Sequence, residues 1–310
     1  MFADNFYYRE YQRLLVELHA LIAAGQNQTF EAAQLRNLME RAEANLSEDE
    51  ILRLNALSAD LSMTHDREIP DPDVVARVPA QDVRGMVELA FKSHKWEDVL
   101  ELLRAGVSHL WRADQIAYLR SRAYEGLGEL APAVAFMDEA TRRAPDNANF
   151  RALSLRLLWQ GKRHQEAYTR ARDYLADAKT KPRLVLMSGG IVAQCAMQTH
   201  EPTDLNTVAS VAVRRMQQAL PMETSPNLIF AALVSLGLLA VQVDDAGAAA
   251  NAFRDALGVD TTSGEQVTSS WALNRELELV RSGKAKTAEE RSNARQLAEF
   301  VQPSPVAVLA

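Results

Sequence analysis

The stretch Asp114–Pro145, DQIAYLRSRAYEGLGELAPAVAFMDEATRRAP, decides the fold. It reads as one helix, a turn at Gly126-Leu127-Gly128-Glu129, and a second helix that stops at a proline. Glycine just past a helix end and proline shortly after one are stop signals with a backbone cause: the first accepts a left-handed φ, the second offers no N–H. A single helix pair cannot bury its own apolar face, so it needs similar neighbours. They are there. Units begin at Ala80, Asp114 and Ala148, 34 residues apart. The first predicts helices over Val83–Ser93 and Trp96–Val107 with a turn at His94-Lys95. The third predicts Phe150–Gln160 and His164–Ala176 around Gly161-Lys162-Arg163.

Outward from these units the pattern loosens. A fourth pair is expected at Arg183–Gln198 and Asp204–Leu220, joined by the longer connection His200-Glu201-Pro202-Thr203. Ser188-Gly189-Gly190 lies inside its first helix. Glycine there costs about 1 kcal/mol against alanine, and close helix approach is the reason expected; a phosphate-binding loop is the alternative, without a GxxxxGK[ST] to support it. A fifth pair starts at Ser225-Pro226 and ends near Gly258. Upstream, Phe6–Ala24, Phe30–Ala44 and Glu48–Met63 read as three helices. Thr29 is an N-cap, and Ser47 with Glu50 forms a capping box that accounts for the acidic run. Thr64–Pro79, with prolines at 70, 72 and 79, reads as a linker. Downstream, capping boxes at Ser263–Gln266 and Thr287–Glu290 predict helices over about 264–281 and 288–301. The expectation is an all-α helix-pair solenoid: a three-helix module at 1–63, a linker at 64–79, repeats at 80–260, capping helices at 261–301 and an extended tail at 302–310.

Composition agrees. The chain has 310 residues, 47% hydrophobic, 24% charged and only 6% aromatic, which suits packed helices, and runs of alternating β-branched residues are missing. The net charge of −7 is uneven: residues 1–75 carry 14 Asp/Glu against 6 Lys/Arg, and residues 142–183 carry 11 Lys/Arg against 4 Asp/Glu. Two solvated faces explain this; a basic surface for an acidic partner explains it too. The acidic total argues against nucleic-acid binding. The most apolar run, Leu228–Val241, has 14 residues, short of the ~20 that span a bilayer, so no membrane insertion is expected. One cysteine, Cys195, forbids an intramolecular disulfide and fits a cytoplasmic setting. No two of the six histidines lie at i, i+3 or i, i+4, and GxSxG and CxxC are absent. No metal, cofactor or catalytic residue is expected, and the chain reads as a non-enzyme.

The units resemble tetratricopeptide repeats. Tyr124, Gly128, Ala133, Ala140 and Pro145 fall on the family pattern, as do Trp96, Val99 and Leu103 before them, Ala167 and Ala171 after them with Gly161 displaced by one, and Leu236-Gly237, Ala249, Phe253 and Ala256 in the fifth pair. Arg120-Ser121 stands where the family has Leu-Gly, and Met137 where it has an aromatic. The resemblance implies a superhelix whose first helices line a concave groove for a protein or peptide partner. It places Arg84, Glu88, Phe91, Gln115, Tyr118, Arg122, Glu125, Asn149, Arg156 and Trp159 there. The groove site expected is Arg84, Phe91, Tyr118, Arg122, Asn149, Arg156 and Trp159. Arg122 and Arg156 occupy equivalent positions and would grip an acidic peptide; alternatively Glu88 and Glu125 pair with the arginines inside the free protein. In the fifth pair the same positions are Ala231, Val234, Leu238 and Val241, an apolar face that must be covered by the last two helices, the uncharged tail or a second copy near Leu238; the chain's own C-terminal helices are the cover expected, with dimerisation as the alternative. The function implied is an interaction scaffold or adaptor. The alternative is a peptide-sensing regulator whose N-terminal helices act on a target; firm docking of those helices on the repeats would favour the scaffold.

Overall fold

The computed structural model describes residues 4–65, 80–104, 110–197, 202–259, 276 and 278–280, and every regular element among them is helical. In order these are α1 (Phe6–Ala23), α2 (Phe30–Glu43), α3 (Glu48–His65), α4 (Ala80–Lys92), α5 (Trp96–Arg104), α6 (Ala113–Gly126), α7 (Leu130–Arg143), α8 (Ala148–Gln160), α9 (His164–Ala176), α10 (Pro182–Ala196), α11 (Leu205–Ala219) with a 3-10 turn at Leu220–Met222, α12 (Pro226–Gln242) and α13 (Ala246–Leu257). Each expected helix up to Gly258 is present with ends shifted by a few residues. The linker beyond His65, most of the region after Val259 with its two capping boxes, and the tail lie outside the described residues. The chain divides into two compact units, 1–150 and 151–310. Both are built of consecutive helices joined by tight turns, the all-α arrangement of tetratricopeptide-like pairs.

The repeat is written in the backbone as well as in the sequence. His94, Gly128 and Lys162, each 34 residues after the last, have φ of 56°, 77° and 59°. After each, the next N–H reaches back to the carbonyl five residues earlier: Lys95 to Ala90, Glu129 to Tyr124 and Arg163 to Leu158, all at 2.9 Å. Asp244, at φ 64°, begins the same bond from Asp245 to Ala240. These left-handed C-caps satisfy carbonyls that a helix end would leave unpaired and fold the second helix back on the first. Only one of the four is glycine. In the third unit Gly161 sits one place too early, and the lysine after it takes the left-handed conformation.

Close approach fixes the crossings. A Cβ on Gly126 would lie 2.2 Å from the Trp96 ring, and one on Gly237 would lie 2.3 Å from Phe253. The expected reason for Gly189 also holds: its Cβ would meet Met216 of α11 at 2.1 Å. Where the α6–α7 pair has Ser121 instead of the family's glycine, the fold adapts. The buried hydroxyl donates to the Ala133 carbonyl at 2.7 Å, and unbranched Met137 packs in the core. Tyr124 and Phe136 stack between these two helices, 5.4 Å apart and nearly parallel.

In the N-terminal helices the expected caps at Thr29 and Ser47 are in place, and Asn5 adds another. Asn5 accepts from the Tyr7 amide at 2.9 Å and Thr29 from the Ala32 amide at 3.3 Å. Glu50 accepts from the Ser47 amide at 2.8 Å while the Ser47 hydroxyl accepts from the Glu50 amide at 3.3 Å. In the second unit α10 packs against α9, α11 and α12, and α12 against α13. Arg170 donates to the Ser154 hydroxyl at 2.6 Å, joining α9 to α8, and Tyr168 donates to Asp204 at 2.8 Å, joining α9 to the start of α11.

Two substitutions test this geometry. Lys162 is exposed and left-handed, so Lys162→Gly is expected to stabilise the chain by about 1 kcal/mol, read as a higher urea midpoint. Gly126→Ala must displace a packed indole and is expected to destabilise by roughly 1–3 kcal/mol; an unchanged midpoint would show that the α5–α6 crossing is loose.

Candidate protein-binding surface

The residues that position any surface on the first unit are buried charges. Asp60, in α3, is 0% exposed. Its carboxylate accepts two bonds from Arg104 of α5, at 2.8 and 2.6 Å, and a third from the Tyr124 hydroxyl of α6 at 2.6 Å. Its carbonyl accepts from Arg120 at 3.3 Å. Seven residues earlier on the same helix face, Arg53 donates to Glu129 at 3.3 Å and lies over the Tyr124 ring. Glu129 also accepts from Tyr8 at 3.2 Å and from Gln12 at 2.7 Å, both on α1. Thus α1 and α3 are seated on α5, α6 and the α6–α7 turn by two carboxylates that between them receive six of these bonds.

The electrostatics follow from burial. Tyr124 is pushed well above the ordinary phenol range, first by loss of solvent and then by the Asp60 charge, so it stays a proton donor. Burial raises the Glu129 carboxyl, while the Arg53 charge and the bonds from Gln12, Arg53 and Tyr8 pull it back. Burial also lowers Arg120 against the pull of Asp60. These perturbed groups are enclosed, not presented at an opening, so their shifts report structure and not catalysis. Arg120 is also what the departure from the family's leucine is for: it lies 5.7 Å over Phe136 and reaches Asp60. Sequence reading noticed that departure and found no role for it. A charge where helix crossing calls for leucine was the available signal; its partner, 60 residues away, was not legible.

The expected groove residues fall in both units and are held as follows. In the first, Arg84 is exposed, ion-paired with Glu88 at 3.4 Å and 6.0 Å over Trp111. Phe91 is half-buried, edge-on to Trp96 at 5.2 Å. Tyr118 is half-buried and stacks on Phe150 at 5.4 Å. Arg122 pairs with Glu125 at 3.4 Å. Asn149 is exposed. In the second unit Trp159 stacks on His164 at 4.2 Å, and Arg156 is 1% exposed and engaged inside the fold. Of the pairing expected within the free protein, Glu125 with Arg122 is present, while Glu88 pairs with Arg84 and not with Arg122 or Arg156. Arg156 is a core residue here and offers no fork to solvent.

The apolar face of α12 is covered within the chain, as expected: Val234 and Leu238 are 0% and 2% exposed, and α12 packs against α10, α11 and α13. The C-terminal helices expected to supply that cover lie largely outside the described residues. Cys195 is buried, and its thiol is pushed up to about 12 by that burial, as a structural cysteine requires. Among the described residues no three His, Cys, Asp or Glu side chains gather as a metal site, and no helix is long and apolar enough to cross a membrane.

No protein-family model and no curated protein matches the chain. Among solved structures it is similar to the crystal structure of the P58(IPK) TPR domain, covering 87% of this chain and 77% of that one at 14% identity and a TM-score of 0.27. An overlap of that degree assigns neither partner nor activity.

Asp60→Asn removes the carboxylate charge that faces both the enclosed Arg120 and the part-buried Arg104, and it is expected to cost about 3–5 kcal/mol. Chemical denaturation measures this. A loss under ~1 kcal/mol would mean the pair is solvated in the free protein.

Proposed function

We propose that the chain is a non-enzymatic protein-interaction scaffold, with a partner protein or peptide held on the first helices of its repeats. The observation that supports this over a regulator with a moving N-terminal module is the seating of α1 and α3. An interface meant to be left would not enclose Asp60 and Glu129 among Arg53, Arg104, Arg120, Tyr8 and Tyr124, since separating them leaves buried charges without partners. The same enclosure speaks against catalysis at this cluster, because Tyr8, Tyr124 and Glu129, whose titration burial raises, are sealed from any substrate. A cytoplasmic setting remains part of this proposal, supported by the lone buried thiol.

On this reading Arg84, Phe91, Tyr118, Arg122 and Asn149 form the contact surface of the first unit, with Trp159 as an aromatic contact in the second. The mixture of aromatic rings and guanidinium groups is the composition of protein-recognition patches. Arg84 and Asn149 are both exposed, so they are the safest probes, with circular dichroism to verify the fold. Affinity capture from the native host with the wild-type chain and with the Arg84→Glu, Asn149→Arg variant, compared by mass spectrometry, tests the surface. The expected result is a set of proteins recovered by the wild type and reduced tenfold or more by the variant. Equal recovery of every protein would sink the groove assignment.

A further inference from the structure

The second unit carries a cleft that the groove does not include. It lies between the end of α9, the start of α10 and the last turns of α11, with a volume of about 620 Å³, inside the ~300–1,000 Å³ range of ligand clefts. Its walls have two characters. Leu175, Val185, Val211 and Met222 supply apolar surface, and Met222 is 70% exposed at its edge. Arg214 and Arg215 supply charge. The two arginines differ. Arg215 donates to the carbonyls of Leu175 and Asp177, both at 3.1 Å, and so caps the end of α9. Arg214 is exposed and makes no hydrogen bond or ion pair among the described residues.

Two further features point the same way. Thr180 lines the cleft, is 8% exposed, and has a hydroxyl without a hydrogen-bond partner among the described residues. A buried orphan hydroxyl is unfavourable until an oxygen or a water meets it. Beside it, the first turn of α10 contributes Pro182 and Val185 to the cleft, and its N-cap, Lys181, provides no side-chain acceptor for the first amides. A helix start left open in this way favours a negative group. Lys179 and Lys181, both exposed, flank Thr180; of the acidic side chains in the neighbouring segments, Asp177 accepts from the Lys179 amide and Glu223 from the Thr224 and Ser225 amides, each at 2.9 Å. The basic segment 142–183 thus ends at this cleft, and α11 adds two arginines to it, in a chain whose net charge is −7.

We infer that this cleft is a docking site for a partner segment that carries aspartate or glutamate next to a large apolar side chain. The carboxylate meets Arg214, the Thr180 hydroxyl and the open start of α10, and the apolar side chain lies against Val185, Val211 and Met222. Methionine at the edge suits a contact that tolerates variation in that side chain. This site rests on the reading of the chain as a scaffold and specifies the chemistry of one partner.

The test is selection of random peptides displayed on phage against the immobilised full-length chain, followed by affinity measurement with synthetic copies of those enriched. Enriched peptides are expected to hold two or more acidic residues beside a Leu, Ile, Met or aromatic residue. Their affinity is expected to fall tenfold or more in Arg214→Glu, to fall severalfold in Met222→Ser, to weaken as salt rises, and to stay unchanged in Arg84→Glu. Both cleft residues are exposed, so neither change threatens the fold, and circular dichroism verifies that. Enriched peptides without acidic residues, or acidic peptides that bind Arg214→Glu as well as wild type, overturn the cleft. If those same peptides are lost in Arg84→Glu, the scaffold reading stands while the cleft falls. If no peptide is enriched, both fall.

Discussion

A carboxylate taken out of water must be met by charge and hydrogen bonds, and in this protein that requirement is used twice to join distant parts of the chain. Asp60 and Glu129 receive their partners from α1, α3, α5 and α6. Such pairs add little net stability compared with a well-packed apolar core. What they add is register. An apolar face tolerates sliding by a turn or a small rotation; a carboxylate holding Arg104 bidentately and Tyr124 at 2.6 Å does not. The N-terminal helices are thereby tied to one place on the repeats, and the surface of the first unit is set by that tie.

Glu129 shows how closely the two levels are joined. It closes the left-handed turn between α6 and α7 with its backbone N–H, bonded to Tyr124. Its side chain meanwhile reaches Tyr8, Gln12 and Arg53. In the neighbouring turns Lys95 and Arg163 stand at the same position. The repeat supplies the geometry everywhere, and one side chain at one copy turns it into an anchor. The same logic applies at Arg120, whose guanidinium reaches from α6 to the Asp60 carbonyl on α3.

Much of the fold was legible because it depends on local signals. Caps at Thr29 and Ser47, stops at Gly25 and Gly128, and the 34-residue period each follow from a few adjacent residues. Gly189 was explained by close approach, and Met216 confirms it. The failures are of one kind. That Arg156 is a core residue and that Asp60 pairs with Arg104 are facts about residues far apart in sequence, and periodicity carries no information on them. A counting rule that assigns arginine to a groove sees its place on the helix and not what packs above it. The candidate surface was therefore legible as a set of positions, and its pairing was legible only as one of two alternatives.

Cys195 has a consequence beyond packing. It is the sequence's one sulfhydryl, enclosed on α10, with its thiol held far above the range in which it would ionise near neutral pH. While the second unit stays closed, this thiol is shielded from thiol-directed alkylating reagents. Modification then proceeds at the rate at which α10 parts from its neighbours. The protein carries a built-in clock for the opening of that unit, readable without adding any label, and a bound partner that slows the clock would reveal itself through sulfur chemistry alone.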